Sequence, residues 1–242
     1  MISLHRTSIR LTAILLFVAL LSVASGSSRS DATGPASRAN PAAPSLGSAK
    51  SYAVLGASAV TNTGGTAITG DLGVSRPGIS PTGFPPGTIA GTIHSGDASS
   101  AQAQGKLTPA YNSLAAKTCT ASLTGQDLGG RTLTQGVYCF TSSAQLTGRL
   151  TLNGTARSVF IFKIASALNT SGNSSVVMTG GSLARNVYWQ VGSSATLGSG
   201  TSFKGNILAL TSISLGTGAS LSGRALARNG AVTMDNNAIS LP

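Results

Sequence analysis

From Val137 onward, short apolar runs alternate with Gly, Ser, Thr and Asn, and the alternation repeats. Segments starting at Val137, Val159, Val187, Ile207 and Ala225 can be laid over one another, each holding three strand-like pieces too short to close a core alone. Stacked coils of a β-solenoid solve that problem, because every coil buries its inward side chains against the next. The spacing between segments is uneven, which places insertions at corners, around Gly172 to Ser175 and Gly180 to Arg185.

The first piece is apolar at every position, as in Val159-Phe160-Ile161-Phe162 and Ile207-Leu208-Ala209-Leu210. Strands of that kind are covered on both faces. The predicted cover is the stretch from Asp97 to Lys117, the one Ala-, Gln- and Leu-rich segment of helical character, with Asp97 or a nearby Ser as its N-cap. Gly105 and Pro109 weigh against an unbroken helix, since an interior Pro removes a hydrogen bond and kinks the axis.

The second piece alternates, which marks a strand with one wet face. With Leu146, Leu168, Leu197, Leu215 and Met234 inward, the outward residues are Gln145, Ala167, Thr196, Ser214 and Thr233. A row of Ser143, Ala165, Ser194, Ser212 and Ala231 precedes them, and Thr147 and Asn169 continue on the far side. Val60 as an inward anchor adds Ala59 and Thr61 from an earlier coil. This face has no Lys or Arg, and its one acid is Asp235 at the end. In the third piece the outward positions mix Arg149, Lys204 and Arg224 with Thr69, Thr151, Ser202 and Ser220, which reads as ordinary solvated surface.

A charge-free Ser/Thr/Ala face has two readings. Small β-compatible residues suit any solenoid wall. Alternatively, methyls and hydroxyls repeating at the inter-strand distance of roughly 4.7 Å can order water into an ice-like array and adsorb to a crystal. Strongly hydrated ions would oppose dehydration of such a face, which gives the absence of charge a reason.

Composition narrows the function further. Charged residues make up 9% of the 242 and none is Glu, so there is little material for acid–base catalysis, while 41% hydrophobic residues suffice for one core. The formal charge of +11 is scattered, with no Lys/Arg-rich run, and no nucleic-acid partner is expected. Arg6 and Arg10 precede the apolar run Leu11 to Leu21, which ends in Ser22-Val23-Ala24-Ser25-Gly26. That is the pattern of a secretory signal peptide over residues 1–26, and its apolar run falls short of the roughly 20 residues a membrane span needs. Residues 27–45, rich in Ser, Ala and Pro, read as a flexible linker, and 46–242 as the solenoid domain. With no hydrophobic tail or sorting motif at Ile239-Ser240-Leu241-Pro242, the mature chain is expected to be secreted, extracellular, monomeric and without a membrane span.

Export permits a disulfide between Cys119 and Cys139, the only two cysteines; a pair of buried free thiols is the alternative. No metal site is expected, because these Cys and His94 lie in unrelated contexts. Asp71 in TGDLG and Asp127 in GQDLGG sit among glycines, where an Asp side chain stabilises turns. Trp189, the only Trp, is expected in the core or under the helix rather than as a sugar platform, and His94 in a structural role. Asp71, Asp97, Asp127 and Asp235 are too dispersed to pair as the carboxylates of a β-helix hydrolase or lyase, so neither an enzyme nor a cofactor is expected.

The stretches from Ala53 to Gly64 (AVLGASAVTNTG) and Thr69 to Ser75 (TGDLGVS) resemble the opening of the microbial ice-binding proteins of discontinuous β-solenoid type. So do Gly83-Phe84-Pro85-Pro86-Gly87-Thr88 with Ile93-His94, Ala110-Tyr111-Asn112, Leu133-Thr134, Gly136-Val137-Tyr138 and the closing Gly223-Arg224-Ala225-Leu226-Ala227. The similarity spans about residues 46 to 241. It implies a mainly β, right-handed β-helix of triangular section with one long flanking α-helix, its first coil supplied from a distant part of the chain. It further implies that the second pieces form the ice-contacting face, placing Thr61, Gln145, Thr147, Ala167, Asn169, Thr196, Ser214 and Thr233 there. The expected partner is an ice crystal surface. The competing reading is an extracellular adhesion or matrix solenoid that binds polysaccharide or a surface partner, favoured by the basic charge.

Overall fold

The structure is a computed structural model that describes residues 39–242, so the leader expected over 1–26 and most of the linker lie outside the described residues. A 3-10 turn, Gly47–Ser51, leads into β1 (Tyr52–Gly56), β2 (Val60–Thr63), β3 (Ala67–Thr69), β4 (Asp71–Val74), β5 (Thr88–Ala90) and β6 (Ile93–Ser95). Helix α1 (Ala98–Ala115) follows, then β7 (Ala121–Ser122), β8 (Thr132–Leu133), β9 (Gly136–Phe140), β10 (Ala144–Leu146) and β11 (Arg149–Asn153). The chain continues through β12 (Phe160–Ile164), β13 (Leu168–Thr170), β14 (Ser175–Thr179), β15 (Val187–Val191), β16 (Ala195–Leu197) and β17 (Ser202–Ala209). It ends with β18 (Ile213–Leu215), β19 (Ser220–Ala227), β20 (Val232–Asp235) and β21 (Ala238–Ser240).

These strands stack in parallel into a three-faced β-helix. The first face runs β7-β9-β12-β15-β17-β19-β1-β4-β6, the second β10-β13-β16-β18-β20-β2, and the third β8-β11-β14-β17-β19-β21-β3-β5. Strands β17 and β19 turn the corner from third face to first without a break. The order is discontinuous in sequence: Val54 pairs with Ala225, Thr61 with Thr233 and Ile68 with Ile239, so the N-terminal coils stack on the last C-terminal one. This is the arrangement the resemblance implied.

Inside, Tyr138, Phe162, Trp189 and Phe203 form a column of rings, with centroids 5.5, 3.9 and 4.8 Å apart. The Trp189 Nε1–H donates to the Lys204 carbonyl at 3.0 Å, so the indole's polar atom is satisfied in the core. On the outer side of the first face, Leu55, Val137, Ile161, Tyr188, Leu208 and Leu226 are covered by α1 through Ala103, Leu107, Ala110, Tyr111 and Leu114. The two-sided apolar strands and their helical cover thus correspond as expected. Asp97 caps the helix, its carboxylate accepting the Ser100 N–H at 2.8 Å. The helix is continuous through Gly105 and Pro109; both are exposed, so the hydrogen bond that Pro109 forfeits lies on the water side.

At its C-terminal end the helix is held twice. Cys119 and Cys139 form a disulfide, and the Lys163 Nζ donates to the Lys117 carbonyl at 2.6 Å, a cation where the helix dipole favours one. Asp127 accepts the Gly129 N–H two residues on, the turn-stabilising role expected of it, and also the Thr147 N–H; Asp71, expected in the same role, instead accepts the Thr92 N–H of the adjoining coil. Ahead of the domain, Asn40 exchanges hydrogen bonds with the Arg157 carbonyl and the Val159 N–H, both 2.8 Å, and Pro44 is buried. Ordered packing therefore begins before residue 46.

One register expectation needs correction. Laying Val137 over Val159 aligned Leu146 with Leu168, but Val137 pairs with Ile161 and Ala144 with Leu168. The coil is displaced by two residues. A strand apolar at every position has no alternation to fix its phase, and a shift of two keeps every side chain on its side.

Candidate functional site

The second face is built from strands of three or four residues that alternate inward and outward, with Ala144/Leu146, Ala195/Leu197 and Ile213/Leu215 as inward pairs flanking an outward middle residue. The middle residues pair in one row across the sheet: Gln145, Asn169, Thr196, Ser214, Thr233 and Thr61. Thr82, joined to Thr61 by an isolated parallel bridge, extends it by one rung. Thr61, Thr82, Thr196 and Thr233 are exposed and Ser214 is half-buried, with the Thr233 hydroxyl donating to Ser214 Oγ at 3.0 Å.

A first flanking row holds Ser143, Ala167, Ser194, Ser212, Ala231 and Ala59. Each of the last five accepts, through its carbonyl, the amide that follows the row's preceding member. All six are half-buried. The hydroxyls of Ser143, Ser194 and Ser212 accept the N–H groups of Ala167, Ser212 and Ala231 at 3.3, 3.3 and 3.2 Å. The second flanking row begins with Thr147 and Ser171, whose hydroxyls are 3.4 Å apart, and ends with Asp235 and Thr63. Asp235 is the only charged side chain in the three rows, and both its oxygens are occupied, by the Thr217 hydroxyl and the Asn236 amide.

The outward residues expected from the second piece lie in these three rows, except Ala165. The two-residue correction exchanges places within the face: Asn169, not Ala167, stands in the middle row, Ala167 joins the row of Ser143, and Ala165 leaves the face for the corner. Sequence reasoning missed Thr82, Ser171 and Thr63. Thr82 sits in the non-repetitive loop Pro81-Thr82-Gly83, where no period points to it, whereas Ser171 follows once the register is right. The longest uninterrupted run of hydroxyls is Thr196, Ser214, Thr233, Thr61 and Thr82, on five successive rungs at roughly 4.7 to 4.9 Å. Gln145 and Asn169, with longer amide side chains, occupy the opposite end of the row.

Among the described residues no cluster of three or more His, Cys, Asp or Glu could hold a metal. His94 pairs with Asp97 at 2.7 Å beside the Tyr52 ring at the helix N-terminus, away from the second face.

The profile of the ice-binding-like family matches residues 54–240. An ice-binding protein from Nostoc sp. (strain HG1) is 58% identical over 198 residues, covering 81% of this chain and 73% of the relative. One from Flavobacterium frigoris (strain PS1) is 34% identical over 210 residues, covering 81% and 76%. Among solved structures, an ice-binding protein from an Antarctic biological consortium superposes with a TM-score of 0.82 at 49% identity, covering 86% of this chain and 95% of that one. Another, from the ascomycete Antarctomyces psychrotrophicus, gives 0.80 at 40% identity, covering 83% and 99%. On sequence and fold alike, this chain belongs to the ice-binding-like family.

Proposed function

We propose that the protein is a secreted, monomeric, non-enzymatic antifreeze protein that adsorbs to ice through its second face and blocks growth and recrystallisation. The single observation that supports this reading best is the run Thr196, Ser214, Thr233, Thr61, Thr82 on a parallel sheet with no Lys or Arg in any row. Each rung offers one hydroxyl, and each Thr adds a methyl. Water held between methyls and anchored by hydroxyls at the strand repeat can take up the spacing of a crystal surface. A rigid backbone matters as much as the groups: the ladder of parallel amide hydrogen bonds and the ring column beneath leave little conformational entropy to lose on adsorption.

The test is ice-recrystallisation inhibition and thermal hysteresis for the folded protein, with a heat-denatured control, and for a triple variant Thr61→Tyr, Thr196→Tyr, Thr233→Tyr. Tyr suits an exposed strand position, so folding should be kept and can be verified by far-UV dichroism. The expected outcome is activity in the parent, none after denaturation, and near-complete loss in the variant. A folded variant with undiminished activity would move the contact surface elsewhere.

A further inference from the structure

The basic residues look scattered in sequence, but the fold gathers five of them at one corner, with Lys204 two register positions ahead of Arg224 along it. Where the third face turns into the first, consecutive coils each carry one cation. Arg157 lies between β11 and β12, Arg185 between β14 and β15, Lys204 in β17, Arg224 in β19, and Lys50 immediately ahead of β1. The backbone of this corner is stapled coil to coil. Asn40 Nδ2 donates to the Arg157 carbonyl (2.8 Å), Asn186 Nδ2 to the Ala156 carbonyl (2.9 Å), and Asn206 Nδ2 to the carbonyls of Arg185 and Val187 (3.1 and 3.0 Å). Arg224 donates through Nη1 to Asn206 Oδ1 (2.7 Å) and through Nε and Nη2 to the Lys50 carbonyl (2.9 and 2.6 Å). Among the described residues none of the five forms an ion pair with a carboxylate. The row stops at Asp71 on the next coil, whose carboxylate accepts the Thr92 N–H.

We propose that this ridge binds a linear acidic polysaccharide carrying one carboxylate per sugar, laid along the solenoid axis. Three observations select that ligand. One cation per rung of roughly 4.7 to 4.9 Å matches a chain with one charge per sugar ring, whereas duplex DNA presents one charge per about 1.7 Å. The aromatic residues near this corner, Tyr188 and Trp189, are buried, so no ring is available for a nucleic-acid base to stack on. Arg157, Arg185 and Lys50 are exposed, with uncommitted charge to offer, and guanidinium groups bind carboxylates bidentately.

In a triangular section this corner lies opposite the second face, so a polymer on the ridge leaves the hydroxyl face free. The two surfaces can be occupied together, and the ridge stands independently of any contact with ice. Polyanion binding, which the sequence offered as a rival function, becomes a second function on a separate surface.

The experiment is titration of the protein with polygalacturonate at low ionic strength, beside neutral dextran and single-stranded DNA. A ridge variant, Lys50→Gln, Arg157→Gln, Arg185→Gln, Lys204→Gln, should bind polygalacturonate roughly tenfold more weakly or worse. Arg224 is left in place because its hydrogen bonds hold the corner. A charge-matched control, Arg76→Gln, Lys106→Gln, Lys117→Gln, Arg149→Gln, should change binding little. Binding by the parent should vanish at about 1 M salt, where the screening length is about 3 Å. If the ridge variant folds poorly, Arg157→Glu with Arg185→Glu, both on exposed corner loops, gives the same readout. Equal loss in ridge and control variants, no binding by the parent, equal affinity for dextran, or preference for the DNA would each overturn the assignment.

Discussion

Hydroxyls on the second face do two different jobs, and their partners tell them apart. Ser143, Ser194 and Ser212 accept backbone N–H groups from the adjoining coil, while the middle-row Thr196 and Thr61 are exposed and make no such bond. Ser194→Ala and Ser212→Ala should therefore each cost about 1 kcal/mol in urea unfolding, leaving recrystallisation inhibition near the parent's. Thr196→Tyr alone should do the reverse, keeping stability within about 0.5 kcal/mol while lowering activity, as surface changes away from special features do. If both classes moved activity equally, the serine row would belong to the contact surface. At this scale the sequence was legible wherever alternation was intact: the outward Thr and Ser of four coils followed from the residues on either side. It was blind at Thr82, where position comes from a loop folding back onto the sheet, and two residues out at Asn169, where the preceding strand carries no phase.

Helix α1 was legible from composition, and its Asp97 cap from the preference of Asp for that position; its survival through Pro109 was not, because solvent exposure of that side is a tertiary fact. The cap makes the helix pH-sensitive. The Ser100 N–H, followed by His94, holds the Asp97 carboxyl well below its ordinary 3.8, to about 2. A group whose folded value is depressed stabilises above its unfolded value and loses that contribution as the pH falls through the folded one. Stability should thus decline between about pH 4 and about pH 2. Asp127 adds to the same decline: burial raises its carboxyl, but the Thr147 and Gly129 amides outweigh that and bring it down. Asp97→Asn keeps an N-cap acceptor without the titration, so urea midpoints from pH 5 to pH 2 should fall less steeply than the parent's while helicity is unchanged. An identical slope would remove Asp97 from the account. At the other end of the helix, the disulfide closes a loop of 20 residues. Cys119→Ser with Cys139→Ser should cost about 3 kcal/mol in the chain-entropy account, with recrystallisation inhibition retained.

A solenoid of parallel coils has two open ends, and each is a row of unpaired amides able to recruit another sheet. This protein closes the end at β10 with the segment 123–131, which was not identifiable in sequence because it belongs to no repeat. Leu123 and Leu128 are buried in the main core, the Leu128 N–H donates to the Gln145 carbonyl, the Gly130 N–H to the Arg149 carbonyl, and Asp127 takes the Thr147 N–H. Leu128 is fully buried, so Leu128→Ala should cost about 2 to 5 kcal/mol through the cavity it leaves. The loss should not be uniform. The segment anchors only one end of the stack, so hydrogen exchange should accelerate first at Thr147 and along β10 and last at β15 and β17, around the ring column. Loosening the cap also bares the β10 edge, so sedimentation of the variant should show association that rises with concentration, at temperatures where the parent's sedimentation does not change with concentration. Destabilisation without either signature would mean that Leu128 contributes packing alone, and that the edge is guarded by Asp127 and the backbone bonds around it.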